Sequence, residues 1–174
     1  HLPLDTGMSF VLVQHLDPNY DSSLVAIVDA YTGMPVHLAQ DGIAVSPNQV
    51  YIIPPDAILT ISGGILHLTR PAPPAARRTS INTFLTSLAQ DQGENAVGVI
   101  LSWFGSDGAL GVVAIKEHGG LTLSQAEFDH HAKSGMPQSA PSSGFVDHVL
   151  SVEEMPAALL EYQRHRKRSD RVKG

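Results

Sequence analysis

The sequence predicts an α/β fold: a three-layer, mostly parallel, doubly wound sheet with one small antiparallel hairpin. Three features predict it. Short continuous apolar runs recur between turn residues, segments with helical spacing separate them, and one stretch is built around a Gly-Gly pair. The apolar runs fall at residues 9–13, 50–53, 97–101 and, less regularly, 121–123. Runs that are apolar on both faces suit strands buried in a parallel sheet. Helical spacing covers 22–31, after the Asp17-Pro18-Asn19 turn, then 81–92 and 109–117. Each is followed within a few residues by glycine, which commonly ends a helix. Within 57–68, Leu59-Thr60-Ile61-Ser62 and Ile65-Leu66-His67-Leu68 flank Gly63-Gly64, which reads as two short strands around a tight turn.

At 174 residues the chain is the size of one domain. We place that domain at 1–162 and a basic tail or linker at 163–174, where Arg164, Arg166, Lys167, Arg168, Arg171 and Lys173 form a charge run expected to be solvated. The proline-rich stretch 70–78 reads as a surface loop of the same domain. With 43% hydrophobic and 16% charged residues the composition is that of a folded globular protein. No apolar run is long enough for a transmembrane helix, so no membrane insertion is expected. A net charge of -6 argues against a nucleic-acid partner. The absence of cysteine excludes disulfides, thiolate metal sites and a cysteine nucleophile, and fits a reducing, cytoplasmic setting. The N-terminus lacks the basic start and apolar stretch of a secretory signal.

The most informative stretch is Gly105-Ser106-Asp107-Gly108, which places an acid between glycines just after the 97–101 run. In an open α/β sheet, ligands and reactive groups collect beyond the carboxyl ends of the strands. Gln14-His15 occupies the same kind of position after the first run. A histidine and an aspartate at two strand ends suggest a Ser-His-Asp arrangement, in which the acid orients an imidazole that activates a hydroxyl. Asp107 also stands where Ser106 or Asp107 would N-cap the 109–117 helix, a role compatible with partnering His15 Nδ1. A phosphate-binding reading of the same glycines lacks a P-loop or dinucleotide fingerprint. Asp129-His130-His131 and His118 lack the spacing of a zinc site, so neither a metal nor a cofactor is expected.

Several blocks in one order carry a more specific signal. They are Val11-Leu12-Val13-Gln14-His15-Leu16, Gln40-Asp41-Gly42, Val50-Tyr51-Ile52-Ile53-Pro54-Pro55-Asp56, Asn95-Ala96-Val97-Gly98-Val99-Ile100-Leu101, the Asp107 loop, and Ser134-Gly135-Met136-Pro137-Gln138-Ser139-Ala140. Over about residues 6–160 the chain resembles the catalytic domain of the CheB chemotaxis protein-glutamate methylesterases. Its wording around residues 4–8 and 91–94 further resembles the version fused to a receptor methyltransferase and sensory modules. The resemblance implies hydrolysis of glutamate γ-methyl esters on methylated chemoreceptor cytoplasmic segments, with release of methanol, and deamidation of receptor glutamines. It makes His15 the general base, Asp107 its orienting acid, the Phe104 N–H part of the oxyanion hole, and Gly135, Met136 and Pro137 the lining of the substrate site.

Two departures qualify that pattern. The family's serine lies in a glycine-rich turn after its first strand, upstream of the matching segment, and no such turn precedes Gly7; Ser102 and Ser106, the nearest serines, are not expected to substitute. The expectation is therefore a fragment with little activity of its own. Trp103 stands where the family usually has glycine, and a large indole there would narrow the ester pocket or alter the loop. Asn82 replaces an aspartate common in its block. The alternative left open is a catalytically degenerate, methylesterase-like binding module in a sensory fusion protein. Loss of a central strand would expose two sheet edges, so a homodimer through such an edge is also expected.

Overall fold

The computed structural model describes residues 1–15, 23–70, 78–101, 107–126 and 144–173. Its architecture is α/β, with parallel sheets and a small antiparallel one. Strand β1 (Phe10–Leu12) and β2 (Val36–Leu38) pair in parallel on either side of β4 (Val50–Ile52), with Phe10 and Val36 both opposite Val50. That central position explains why Val50, Tyr51 and Ile52 are all buried. Alternate residues feed opposite faces. Val50 and Ile52 pack with Phe10, Leu12 and residues of helix α1 (Ser23–Tyr31), whereas Tyr51 and Ile53 pack with Val11, Val13 and the far face.

On that far face lies the antiparallel sheet of β3 (Ile43–Ala44), β5 (Ile58–Ser62) and β6 (Ile65–Thr69). Its hairpin turns through Gly63 and Gly64, whose φ values of 60° and 72° require glycine for a two-residue loop of this hand. The third strand, β3, and likewise β2, fall outside the apolar runs of the sequence. Asp91 accepts hydrogen bonds from the Gly63 and Gly64 N–H groups at 2.5 and 3.1 Å, so the turn is held by helix α2 (Ser80–Gln92).

The second parallel sheet is β7 (Val97–Ile100), β8 (Leu121–Gln125) and β9 (His148–Leu150), with α3 (Ala109–Glu117) as the crossover between β7 and β8. Strand β8, the least regular run in the sequence, is central and buried from Leu121 to Ser124. Its polar residue Thr122 is satisfied there: its hydroxyl donates to the Phe145 carbonyl at 2.6 Å and its N–H to Asp147 Oδ2 at 2.9 Å. Helix α2 links the two halves, sending Phe84 into the core shared with the hairpin and Leu85 and Ala89 into the core shared with α3. One continuous sheet is the expectation; among the described residues the parallel strands form two sets, and β1 and β7 each end their set.

Helix α4 (Met155–Lys173) runs without a break through the basic segment. Arg166 donates to Glu94 Oε2 at 2.6 Å and to Asn95 Oδ1 at 3.0 Å, and the Tyr162 hydroxyl donates to the Glu94 carbonyl at 2.5 Å. Arg166 is thus held against the turn after α2, while Arg164, Lys167, Arg168, Arg171 and Lys173 are exposed.

Asp147 joins α3, β8 and the approach to β9, since it pairs with Lys116 as well as Thr122. Burial opposes ionisation of its carboxyl, but the hydrogen bonds from Lys116 and Thr122 outweigh burial and hold it below the usual carboxylate range. A pKa depressed by folding contributes stability above the ordinary carboxylate pKa, and that contribution disappears as pH falls through the folded value. Asp147→Asn is expected to cost about 1–2 kcal/mol at neutral pH and to flatten the acid side of the stability curve. Denaturant titrations across that range test this, and identical pH dependence in variant and wild type would overturn it.

Candidate active site

The carboxyl ends of β1 and β7 bring two polar residues together across the two parallel sets. His15, three residues beyond β1, turns Nε2 to Asp107 Oδ2 at 2.8 Å; the imidazole is 40% exposed and the carboxylate 5%. The ring nitrogen on the acid is Nε2, where the sequence reading expected Nδ1. This leaves Nδ1 as the nitrogen available to a nucleophile. The hydrogen bond at one ring nitrogen sets which nitrogen is free to act as base.

Asp107 does not cap α3, as the sequence suggests, but α2. Its Oδ2 accepts from the Ile81 N–H at 3.0 Å and its Oδ1 from the Asn82 N–H at 2.8 Å. These are N–H groups of the first turn of α2, where Thr79 makes no side-chain cap bond. The N-cap of α3 is Gly108, with φ of 105°. The side chain that serves α3 comes from α2: Asn82 Oδ1 accepts from the Gly108 and Gly111 N–H groups at 2.8 and 2.9 Å. Each helix start is therefore capped by a residue of the other segment. The positive end of the α2 dipole also faces the Asp107 carboxylate.

The pairing of His15 with Asp107 is legible from two strand ends, but the Asn82 contacts are not, because their partners lie 26 and 29 residues away. A polar residue inside a first helical turn is their one local signal. Phe104, Trp103, Ser102 and Ser106 lie outside the described residues, as do Asp129, His130, His131, Gly135, Met136 and Pro137.

An imidazole held on a buried carboxylate beyond the strand ends is an arrangement found in hydrolases whose histidine serves a hydroxyl nucleophile. Residues 1–159 match the CheB methylesterase family, and the chain belongs to that family. The chain is 33% identical over 160 residues to a protein-glutamate methylesterase/protein-glutamine glutaminase of Burkholderia lata, covering 91% of this chain and 47% of that protein. It is 36% identical over 157 residues to an uncharacterized 104.1 kDa protein of Rhodobacter capsulatus, covering 87% of this chain and 16% of that one. The crystal structure of the Thermotoga maritima CheB methylesterase catalytic domain superposes with a TM-score of 0.77 at 29% identity, covering 92% of this chain and 86% of that domain. The chain thus spans less than half of these two curated relatives. Among the described residues no helix is long and apolar enough to cross a membrane.

Proposed function

We propose that this domain hydrolyses glutamate γ-methyl esters on chemoreceptor cytoplasmic segments, and deamidates glutamines there, as the catalytic part of a larger protein working in the cytoplasm. The observation that carries the reading is the 2.8 Å contact between His15 Nε2 and the buried Asp107 carboxylate. A serine hydroxyl, which on the family pattern comes from a turn preceding residue 1, attacks the ester carbonyl carbon while His15 Nδ1 takes its proton. The Phe104 N–H receives the developing oxyanion, a donor worth about 3 kcal/mol in such sites. The tetrahedral intermediate collapses, the C–O bond to methoxide breaks, and the imidazolium returns the proton so that methanol leaves. Water then attacks the acyl-serine, again giving its proton to Nδ1; the C–Oγ bond breaks, Oγ takes the proton back from the imidazolium to regenerate the serine, and the glutamate leaves as carboxylate with release of a proton to solvent. Asp107 keeps the imidazole in the Nε2–H form throughout and offsets the positive charge of the imidazolium. Gly135, Met136 and Pro137 line the ester pocket. No metal or cofactor takes part in this sequence of steps.

The 16% share of the Rhodobacter capsulatus relative supports a place inside a much longer polypeptide; fused methyltransferase or sensory modules as partners follow from the resemblance around residues 4–8 and 91–94 alone. The test is methanol release from methylated receptor by the full-length protein, beside these 174 residues alone and a His15→Ala variant. Release by the full-length protein that disappears in the variant supports the esterase. A well-folded full-length protein that releases none would place the domain among degenerate, receptor-binding modules.

A further inference from the structure

The structure assigns Asn82 a role in the reaction: we infer that it is a positioning residue, locking the Asp107 carboxylate onto His15 by tying together the N-termini of α2 and α3. This rests on the functional reading above. Asp107 precedes Gly108, the N-cap of α3, and its carboxylate receives the Ile81 and Asn82 N–H groups of α2. On its own, that contact would fix the carboxylate to α2 but leave the Asp107–Gly108 backbone free to move with α3. Asn82 Oδ1 removes that freedom, accepting from both Gly108 and Gly111. Four hydrogen bonds of 2.8–3.0 Å then run between one residue of each pair and the helix start of the other.

Such a closed arrangement leaves the carboxylate one orientation, the one in which Oδ2 meets His15 Nε2. Asn82 is suited to this role because its amide oxygen accepts both N–H groups. Residues 80–90 of α2 and 109–115 of α3 contain no ionisable side chain, so the helix segments flanking the pair leave the His15–Asp107 interaction without a competing charge. Asn82 reaches the imidazole only through Asp107, and so acts on the rate by geometry.

Three variants of the full-length protein test this: Asn82→Ala, which removes the acceptor, Asn82→Gln, which keeps the amide but moves it by one methylene, and Asn82→Asp, which keeps acceptors in place. The readouts are the hydrogen-bonded His15 Nε2–H resonance in proton NMR, kcat and KM for methanol release, and Tm. Asn82→Ala is expected to lose the resonance to solvent exchange and to lower kcat roughly ten- to a hundredfold at unchanged KM, the scale set by misplacing a reacting group by about 1 Å. Asn82→Asp is expected to restore the resonance. If Asn82→Ala does not fold, Asn82→Gln takes its place, with a partial loss of both signals expected.

A folded Asn82→Ala or Asn82→Gln protein that lowers Tm while keeping the resonance and kcat would overturn the inference, since a purely structural cap behaves so. Loss of the resonance in a protein whose wild type releases no methanol would leave the positioning role standing and remove the esterase reading. Unchanged resonance beside active wild type would do the reverse.

Discussion

Replacing Asp107 by asparagine is expected to lower kcat for methanol release by about 10⁴ while costing only about 1 kcal/mol of stability. The carboxylate serves two sets of donors: His15 and Ile81 on Oδ2, Asn82 on Oδ1. An asparagine amide has one acceptor oxygen and one NH₂ group. With the NH₂ at the Oδ2 position, it donates to His15 Nε2 and forces the proton of the neutral ring onto Nδ1, the nitrogen that must accept from the serine. With the NH₂ at the Oδ1 position it faces the Asn82 N–H, and α2 loses one cap bond. Either arrangement costs α2 one cap bond, Ile81 in the first and Asn82 in the second, and removes the charge that offsets the imidazolium; the first also abolishes the base. Asp107→Ala leaves both α2 N–H groups without their acceptor and should cost more stability than Asp107→Asn, with a similar loss of rate. His15→Ala should match or exceed that loss, because members of such a unit are not additive. Rate and Tm measured on all three variants separate the two duties of Asp107. Asparagine at 107 with near-wild-type kcat would remove the carboxylate from the mechanism.

Much of this was legible because it is local. The strands at β1, β4 and β7 follow from apolar runs, and the Gly63-Gly64 hairpin from a turn that only positive φ can make. The position of Asp107 after one strand and His15 after another followed from the rule about strand carboxyl ends. What the sequence concealed depends on long-range pairing. Strand β8 reads weakly because Thr122 and Ser124 interrupt it, and Phe145 and Asp147, 23 and 25 residues on, make Thr122 a sound core residue. The run from Arg164 to Lys173 reads as a solvated tail, yet Arg166 finds Glu94 from 72 residues away. Asp107 looks like a cap for the helix that follows it, and instead caps one that begins 27 residues earlier, because Gly108 with its positive φ turns the chain between the carboxylate and α3. The family blocks picked out His15 and Asp107 without indicating which imidazole nitrogen meets the acid.

The helices that exchange caps also touch where a glycine allows it, and this yields the second large effect. A Cβ added at Gly111 would lie 2.5 Å from Leu85 Cβ and 2.8 Å from Leu85 Cδ1, so α2 and α3 cross at a contact that no side chain fits. Leu85 Cβ is fixed to the α2 backbone, and rotation about χ1 does not relieve the closer contact. Gly111→Ala therefore has to push the helices apart, although alanine is otherwise the better helix residue by about 1 kcal/mol. Overpacking of this kind costs about 1–3 kcal/mol. The displacement acts on the site as well, because the Gly111 N–H is one of the two groups bound by Asn82. Separating the helices stretches that bond first and then the Asn82–Gly108 bond, which turns Asp107 away from His15. Gly111→Ala is accordingly expected to lower Tm and kcat together, and Leu85→Gly in the same chain, which removes the clashing Cβ, to restore kcat at least in part, while itself leaving a cavity and weakening α2. The double-mutant cycle should show a coupling energy of about 1 kcal/mol or more between positions in direct contact. Strict additivity of the two substitutions in both stability and rate would mean that the close approach of α2 and α3 does not set the geometry of the His15–Asp107 pair.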